Sequence, residues 1–282
     1  MSNPLREVFG FPTTDTTPEA TRHRNERLCP HKNGAPCTKD KADDPLGVCT
    51  VNHGNAGTIA TTCPVRFRED ELIARDAADF FFPPGSSWTC LPEVRLKDVN
   101  GGPAGNIDLV LVAHDDQGTI TDFGSVEIQA VYISGNIRRP FEQYMTNPVA
   151  NGNLNWSGQS LYPRADFLSS SRKRLVPQLM YKGGILHTWG KKQAVVLDEA
   201  FFGTLPVLTP VPQAEADLVW LVYKYVAVAP HGRLTLTPAQ RVYTKFEDAM
   251  VTVSKTVAGP VEDFVSVLQS KLSALPPTSG LA

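Results

Sequence analysis

The sequence predicts an α/β protein: a mixed sheet flanked by helices, with a small metal-stapled module at its N-terminal end. Three observations predict it. Runs of apolar residues at strand spacing, 93–96, 106–114 and 125–133, are separated by turn signals. Segments with helical apolar spacing precede and follow them. Four of the five cysteines, Cys29, Cys37, Cys49 and Cys63, crowd into a stretch with too few large apolar residues to build a core of its own.

Taken in order, residues 1–24 are polar and Thr-rich and read as an extended arm. Residues 25–65 form the four-cysteine module. From Arg66 to the C-terminus runs the main domain, 66–282. Ile73, Ala77, Phe80 and Phe81 recur at helical spacing behind Glu69, Asp70 and Glu71, and Pro83-Pro84-Gly85 ends that helix. Turns at Asn100-Gly101-Gly102-Pro103 and Asp115-Asp116-Gln117-Gly118 join the three strands into a meander. Residues 146–165, rich in Asn, Gly, Ser and Pro, are long for an idle loop and suit recognition. Ser169-Ser170-Ser171 caps a helix running to about Trp189. Residues 192–202 and 217–228 read as strands. Thr237-Pro238 reads as an N-cap followed by proline in the first turn of a helix through Val242, Phe246, Met250, Val253 and Val257. Phe264, Leu268, Leu272 and Leu275 mark a last helix.

Composition excludes several classes. The 282 residues are 41% hydrophobic and 20% charged, with a formal net charge of −2, so a nucleic-acid surface has to be local. No apolar run is long enough for a membrane span, and Met1-Ser2-Asn3-Pro4 does not open a signal peptide, so a cytoplasmic protein is expected. An odd cysteine count without a secretion signal argues against a disulfide framework. The four clustered cysteines read as metal thiolates, with His31 and His53 as substitutes. Their spacing lacks the C-x2-C knuckle of common zinc fingers, and a soft sulfur site suits Zn²⁺ or Fe. Cys90 reads as a buried structural cysteine.

The chemistry centres on two strands. Asp108 sits in an apolar run, and on the next strand Glu127 and Gln129 share one face while Val126, Ile128 and Ala130 share the other. Two carboxylates on an apolar sheet are costly unless neutralised, and Mg²⁺, which takes one or two carboxylates, neutralises them. Two exposed edge carboxylates would be the plainer reading. Glu93, at the start of the preceding strand, is a further acid or a solvated strand end. Basic groups at Arg138-Arg139, Arg172-Lys173-Arg174 and Lys191-Lys192 would each pass for a solvated face, but Arg138 and Arg139 follow the acidic strand where a phosphate backbone would run. Arg164, in the 146–165 loop, is a candidate base reader beside its Asn and Gln residues.

Gly105-Asn106-Ile107-Asp108 followed by Val126-Glu127-Ile128-Gln129 resembles the PD-(D/E)xK nuclease core, with Gln129 in the usual lysine position. The stretch Glu127 to Asn136, then Arg138-Arg139-Pro140-Phe141, together with the upstream cysteines, resembles the NotI-type restriction endonucleases over roughly residues 25–250. The resemblance implies a type II restriction endonuclease: Mg²⁺-dependent, sequence-specific hydrolysis of double-stranded DNA at a GC-rich palindrome, by a homodimer. It implies Asp108 and Glu127 as metal ligands, with Gln129 and Glu93 completing the catalytic set, and iron on the four cysteines. Zn²⁺ or an Fe–S cluster stays open there. Two other readings remain: a repair or recombination nuclease with little sequence specificity, and a non-catalytic DNA-binding protein, for which Gln129 is the best argument.

Overall fold

Short strands and one helix make the N-terminal layer. In the computed structural model, which describes residues 3–54 and 57–274, β1 (Leu5–Val8) and β2 (Phe11–Pro12) lead into α1 (Pro18–Asn25). The pair β3 (Leu28–Cys29) and β4 (Ala35–Pro36) follows, then β5 (Val48–His53) and β6 (Thr58–Thr61). Strands β2, β1, β5 and β6 form one four-stranded sheet in that order. Residues 3–24 are therefore no extended arm: Leu5, Val8, Phe9 and Phe11 are at most 1% exposed. Burying these four drives the segment onto the body. The 25–65 segment packs onto the body as well. Its Val48, Val51 and Ala60 share a core with Leu5 and Val8 on one side and Val195 and Trp220 on the other.

The main sheet follows α2 (Leu72–Phe81). It comprises β7 (Trp88–Lys97), β8 (Pro103–His114), β9 (Ile120–Ile128) and, after the small antiparallel pair β10 (Tyr132–Ser134) and β11 (Arg164–Asp166), β12 (Gln193–Asp198), β13 (Leu218–Val228) and β14 (Arg233–Thr244). The order across the sheet is β14-β13-β12-β9-β8-β7. Strand β12 runs parallel to both β9 and β13, and the remaining pairs are antiparallel. A parallel pair needs a crossover. Here the β9–β12 crossover carries α3 (Arg138–Thr146) and a helical run over 167–188 that alternates α and π turns.

Side-chain alternation separates the two faces. Ala194 and Val196 pack in one core with Ile73, Ala77 and Phe81 of α2. Val195 and Leu197, one residue out of phase, pack with Leu175, Leu179, Phe246 and the N-terminal layer. The two layers are also tied by polar contacts: the Thr61 amide donates to Asp198 at 2.6 Å and the Val131 amide to the Thr61 carbonyl at 2.6 Å.

Three expected elements move. Thr237-Pro238 does not cap a helix. Leu234 and Leu236 are buried at strand spacing on β14, an edge strand, where proline's missing donor is harmless. A bulge at Ala239 separates the pairs Val222–Gln240 and Tyr223–Pro238. The helix starts later, at Phe246–Ser254, leaving Val242 on the strand and Val257 beyond the helix. The strand expected over 125–133 ends at Ile128 and resumes as β10. The strand expected over 192–202 stops at Asp198, whose carboxylate accepts from the Phe201 amide and caps the short helix Glu199–Phe202. The last helix is Val261–Ser273, and Leu275 lies outside the described residues. Among the described residues no helix is long and apolar enough to cross a membrane.

Candidate active site

Register aligns three acidic residues across three neighbouring strands. The pairs Pro92–Leu109 and Val94–Ile107 put Glu93 level with Asp108, and the pair Leu109–Val126 puts Asp108 level with Glu127. The carboxylate of Asp108 accepts from the Ile128 amide at 2.7 Å, which pins it against β9. Glu93 departs from its strand: its φ is +55°, a left-handed conformation unusual for a long side chain. Its exposed carboxylate turns towards Arg68, 3.9 Å away. Among the described residues, no three His, Cys, Asp or Glu side chains are arranged to hold a metal ion. Asp108 and Glu127 lie level on neighbouring strands, with Glu93 level with Asp108 on the other side.

Glu127 is 9% exposed, yet it is not alone. Lys182, from the 167–188 run, donates to both of its oxygens at 2.8 and 2.7 Å. Burial pushes the Glu127 carboxyl up to about 7; the neighbouring charge of Asp108 adds to this, and Lys182 opposes it. Burial also raises Asp108, against the pull of the Ile128 amide and Lys182. Nothing at the sequence level singled out Lys182. A signal was present: Leu175, Leu179, Lys182 and Leu186 form one buried helical stripe, and a lysine inside such a stripe needs an acidic partner.

Gln129 lies just past the end of β9 and is 7% exposed. Its amide nitrogen donates to the Ala130 carbonyl at 2.6 Å, so its donor is held locally. Asp108, Glu127 and Gln129 all line an open cleft of about 650 Å³, walled by Tyr132, Arg138 and Arg174 among others. Hard oxygen ligands at the foot of an open cleft suit a divalent cation with waters still attached.

The basic residues divide. Arg138 enters the cleft wall but is clasped by Asp40 at 2.6 Å and Asp44 at 2.7 Å. Arg139 lies over the Trp156 ring, 5.8 Å from its centroid, and Arg174 over Tyr132 at 3.9 Å. Arg172 and Lys173 are exposed on the same helical run. Arg164 is on β11 and lines a different pocket, with His53, Gln159 and Tyr162. Within the 146–165 loop, Asn147 and Asn155 accept from backbone amides of their own turns and Asn151 donates to Gln143. Trp156 and Leu154, each 7% exposed, anchor it. Asn153, Gln159, Ser160 and Arg164 are exposed polar groups of the loop outside those turns.

The four clustered cysteines are buried and unbridged. Burial raises the Cys29 thiol to about 11, and the nearby Cys63 and Cys37 add to this. Cys49 is raised by burial and then by Cys63. The sulfurs thus sense one another, although they are not set in a ligating arrangement. His31 is half-buried, with its Nε2 buried and unpartnered, and desolvation drives its pKa down to about 3. His53 packs edge-on against Phe167. Cys90 is half-buried on β7.

A carboxylate pair at the foot of an open, arginine-walled cleft suits a hydrolase acting on a phosphate backbone. The family model for restriction endonuclease NotI matches residues 8–236, and the chain belongs to that family of DNA endonucleases. Comparison with curated proteins gave no match.

Proposed function

We propose that this protein is a type II restriction endonuclease that cleaves double-stranded DNA at a GC-rich palindrome, as a homodimer in the cytoplasm. Family membership supports the endonuclease, and the observation that carries the placement of its chemistry is the Asp108–Glu127 pair in the cleft. We read the main sheet as a PD-(D/E)xK nuclease core. Support comes from its mixed order, with the acidic residues on the β7–β8–β9 meander and a parallel strand beside it.

Asp108 and Glu127 would hold Mg²⁺, which, when bound, supplies positive charge to the phosphate and an acidic water. Water adds to phosphorus in line and gives up a proton to solvent, the bond to the 3′ oxygen breaks, and that oxygen takes a proton from solvent, leaving 5′-phosphate and 3′-hydroxyl ends. Gln129, neutral and already donating to Ala130, is assigned to orienting rather than to proton transfer. Glu93 is assigned to the rim of the same acidic row. Arg138, Arg139, Arg172, Lys173 and Arg174 are assigned to phosphates, and Arg164 to base reading. A structural Fe or Zn on Cys29, Cys37, Cys49 and Cys63 is proposed on the burial and mutual influence of the four thiols alone. Elemental analysis of the purified protein is expected to find one Fe or Zn per chain.

Plasmid DNA of mixed sequence incubated with the protein and Mg²⁺ tests the reading. Discrete fragments are expected, with none from Asp108→Ala. A smear would replace specific by nonspecific cleavage, and intact DNA would overturn the enzymatic assignment.

A further inference from the structure

Gln129 cannot bring positive charge to the acidic pair, yet the pair has a cation. The Lys182 ammonium donates to Glu127 Oε1 at 2.8 Å, Glu127 Oε2 at 2.7 Å, the Asn106 carbonyl at 2.8 Å and Gln178 Oε1 at 3.0 Å. These four acceptors take up all its donors. Glu127 and Gln178 line the cleft whereas Lys182 does not, so the ammonium grips Glu127 from behind. The space left on that side is about 10 Å³, which holds one water at most.

The fold makes room for this grip. Gly105 on β8 has φ +108°, and a Cβ there would come within 3.3 Å of Lys182 Cδ. The glycine thus admits the lysine stem against the strand. Gln178, one helical turn before Lys182, fixes the ammonium from the helix side. Each carboxylate oxygen has two lone pairs. Lys182 takes one direction on each, and the remaining ones can serve a ligand in the cleft that Glu127 and Asp108 both line.

We propose that Lys182 is a positioning residue for DNA cleavage: acting through Glu127 from the helical run behind the sheet, it supplies the fixed positive charge that position 129 lacks and holds the Glu127 carboxylate aimed into the cleft. This inference rests on the nuclease reading above. Lys182 does not touch the cleft, so its loss changes the rate and the metal requirement and leaves contacts to DNA in place. Groups that orient a metal ligand are worth about 10–100-fold in metal affinity or activity when removed.

The test uses the full-length protein, a duplex carrying the cleavage site, and Mg²⁺ titrated from micromolar to tens of millimolar. For Lys182→Met, the single-turnover rate is expected to fall about 10–100-fold and the half-saturating Mg²⁺ concentration to rise by a similar factor. Affinity for the same duplex without metal is expected to stay within about twofold, since the phosphate and base contacts lie elsewhere. Lys182→Arg, which keeps the charge, is expected to recover at least a tenth of the wild-type rate. A folded Lys182→Met with wild-type rate and wild-type Mg²⁺ dependence overturns the inference. If Lys182→Met does not fold, Lys182→Arg decides: a well-folded variant that has lost cleavage entirely overturns it, and recovered cleavage supports it. Wild-type protein that cleaves no DNA takes down the nuclease reading and this inference together. A cleaving wild type beside an unaffected Lys182→Met takes down this inference alone.

Discussion

Two buried glutamates of this molecule, each held by a cation, are built differently. Glu7, on β1, meets Arg66 with both side chains fully buried. Arg66 Nε reaches Glu7 at 2.9 Å, Thr50 donates to the same oxygen at 2.9 Å, and the guanidinium also reaches the Leu234 carbonyl at 2.8 Å. Glu69 joins from the other side, and Arg66 lies over the Tyr225 ring. Every partner is protein, and the network ties the N-terminal layer to β14. Glu127 and Lys182 keep 11% and 10% of their side chains exposed. Glu127 has a second carboxylate, Asp108, as neighbour and one side open to a cleft. A buried pair closed on all sides fixes structure. A buried pair with one side open to a cleft keeps capacity for a ligand.

Removing one partner sharpens that contrast most at Arg66. Arg66→Met leaves Glu7 buried without its counter-ion and is expected to cost about 3–5 kcal/mol of stability. Denaturant unfolding measures it, and cleavage by the remaining folded fraction is expected to match wild type. A loss below about 1 kcal/mol would mean that the closed network is not structural and the contrast fails.

The acidic pair carries a pH signature of smaller size. The Glu127 carboxyl lies at about 7 in the folded protein against an ordinary 4.5. Between these values the folded state keeps a proton that the unfolded chain has lost. The resulting stability is fully present below about 4.5 and is lost as pH rises through about 7. Metal-free wild type should therefore melt lower at pH 7.5 than at pH 5.5. Asp108, Glu7 and Asp198, also raised by burial, add slopes of the same sign. Subtracting the melting profile of Glu127→Gln isolates the Glu127 share. Equal slopes for the two proteins would show that Glu127 is ionised throughout. Cleavage should rise over the same interval, because an ionised Glu127 is the form that ligates.

The smallest effect is expected at a third kind of ion pair. Arg138 and its partners Asp40 and Asp44 are solvated, with side chains 28%, 49% and 52% exposed. Such contacts contribute about 0–1 kcal/mol. Asp44→Asn should hardly alter unfolding, but it loosens Arg138 for phosphates. Metal-free binding to any duplex should tighten and depend more steeply on salt. Unchanged binding at every salt concentration would place Arg138 off the DNA path.

The sequence pattern carried the β7–β9 meander and α2, because alternation and helical spacing are strong in long half-buried elements. That alternation put Glu127 and Gln129 on one face, and the pairing of β8 with β9 brings Asp108 level with Glu127. Short elements were illegible. Leu5–Val8 and Phe11–Pro12 are too brief to show a period, so their burial was hidden in a polar, Thr-rich context. Thr237-Pro238 offered a good local helix start that pairing with β13 overrode. Lys182 was missed because its meaning lies in a contact 55 residues away in sequence. The Asp40 and Asp44 clasp on Arg138 was missed for the same reason.

Glu127→Gln, assayed for both cleavage and melting, tests the account most directly. The amide keeps the size of the side chain and an acceptor for Lys182 but removes the charge. The account predicts no detectable cleavage of plasmid DNA at saturating Mg²⁺, with a melting midpoint within about 4 °C of wild type, the shift of roughly 1 kcal/mol in a chain of this size. Cleavage at the wild-type rate together with a collapsed melting midpoint would contradict it, and would place Glu127 with Glu7 among the structural pairs.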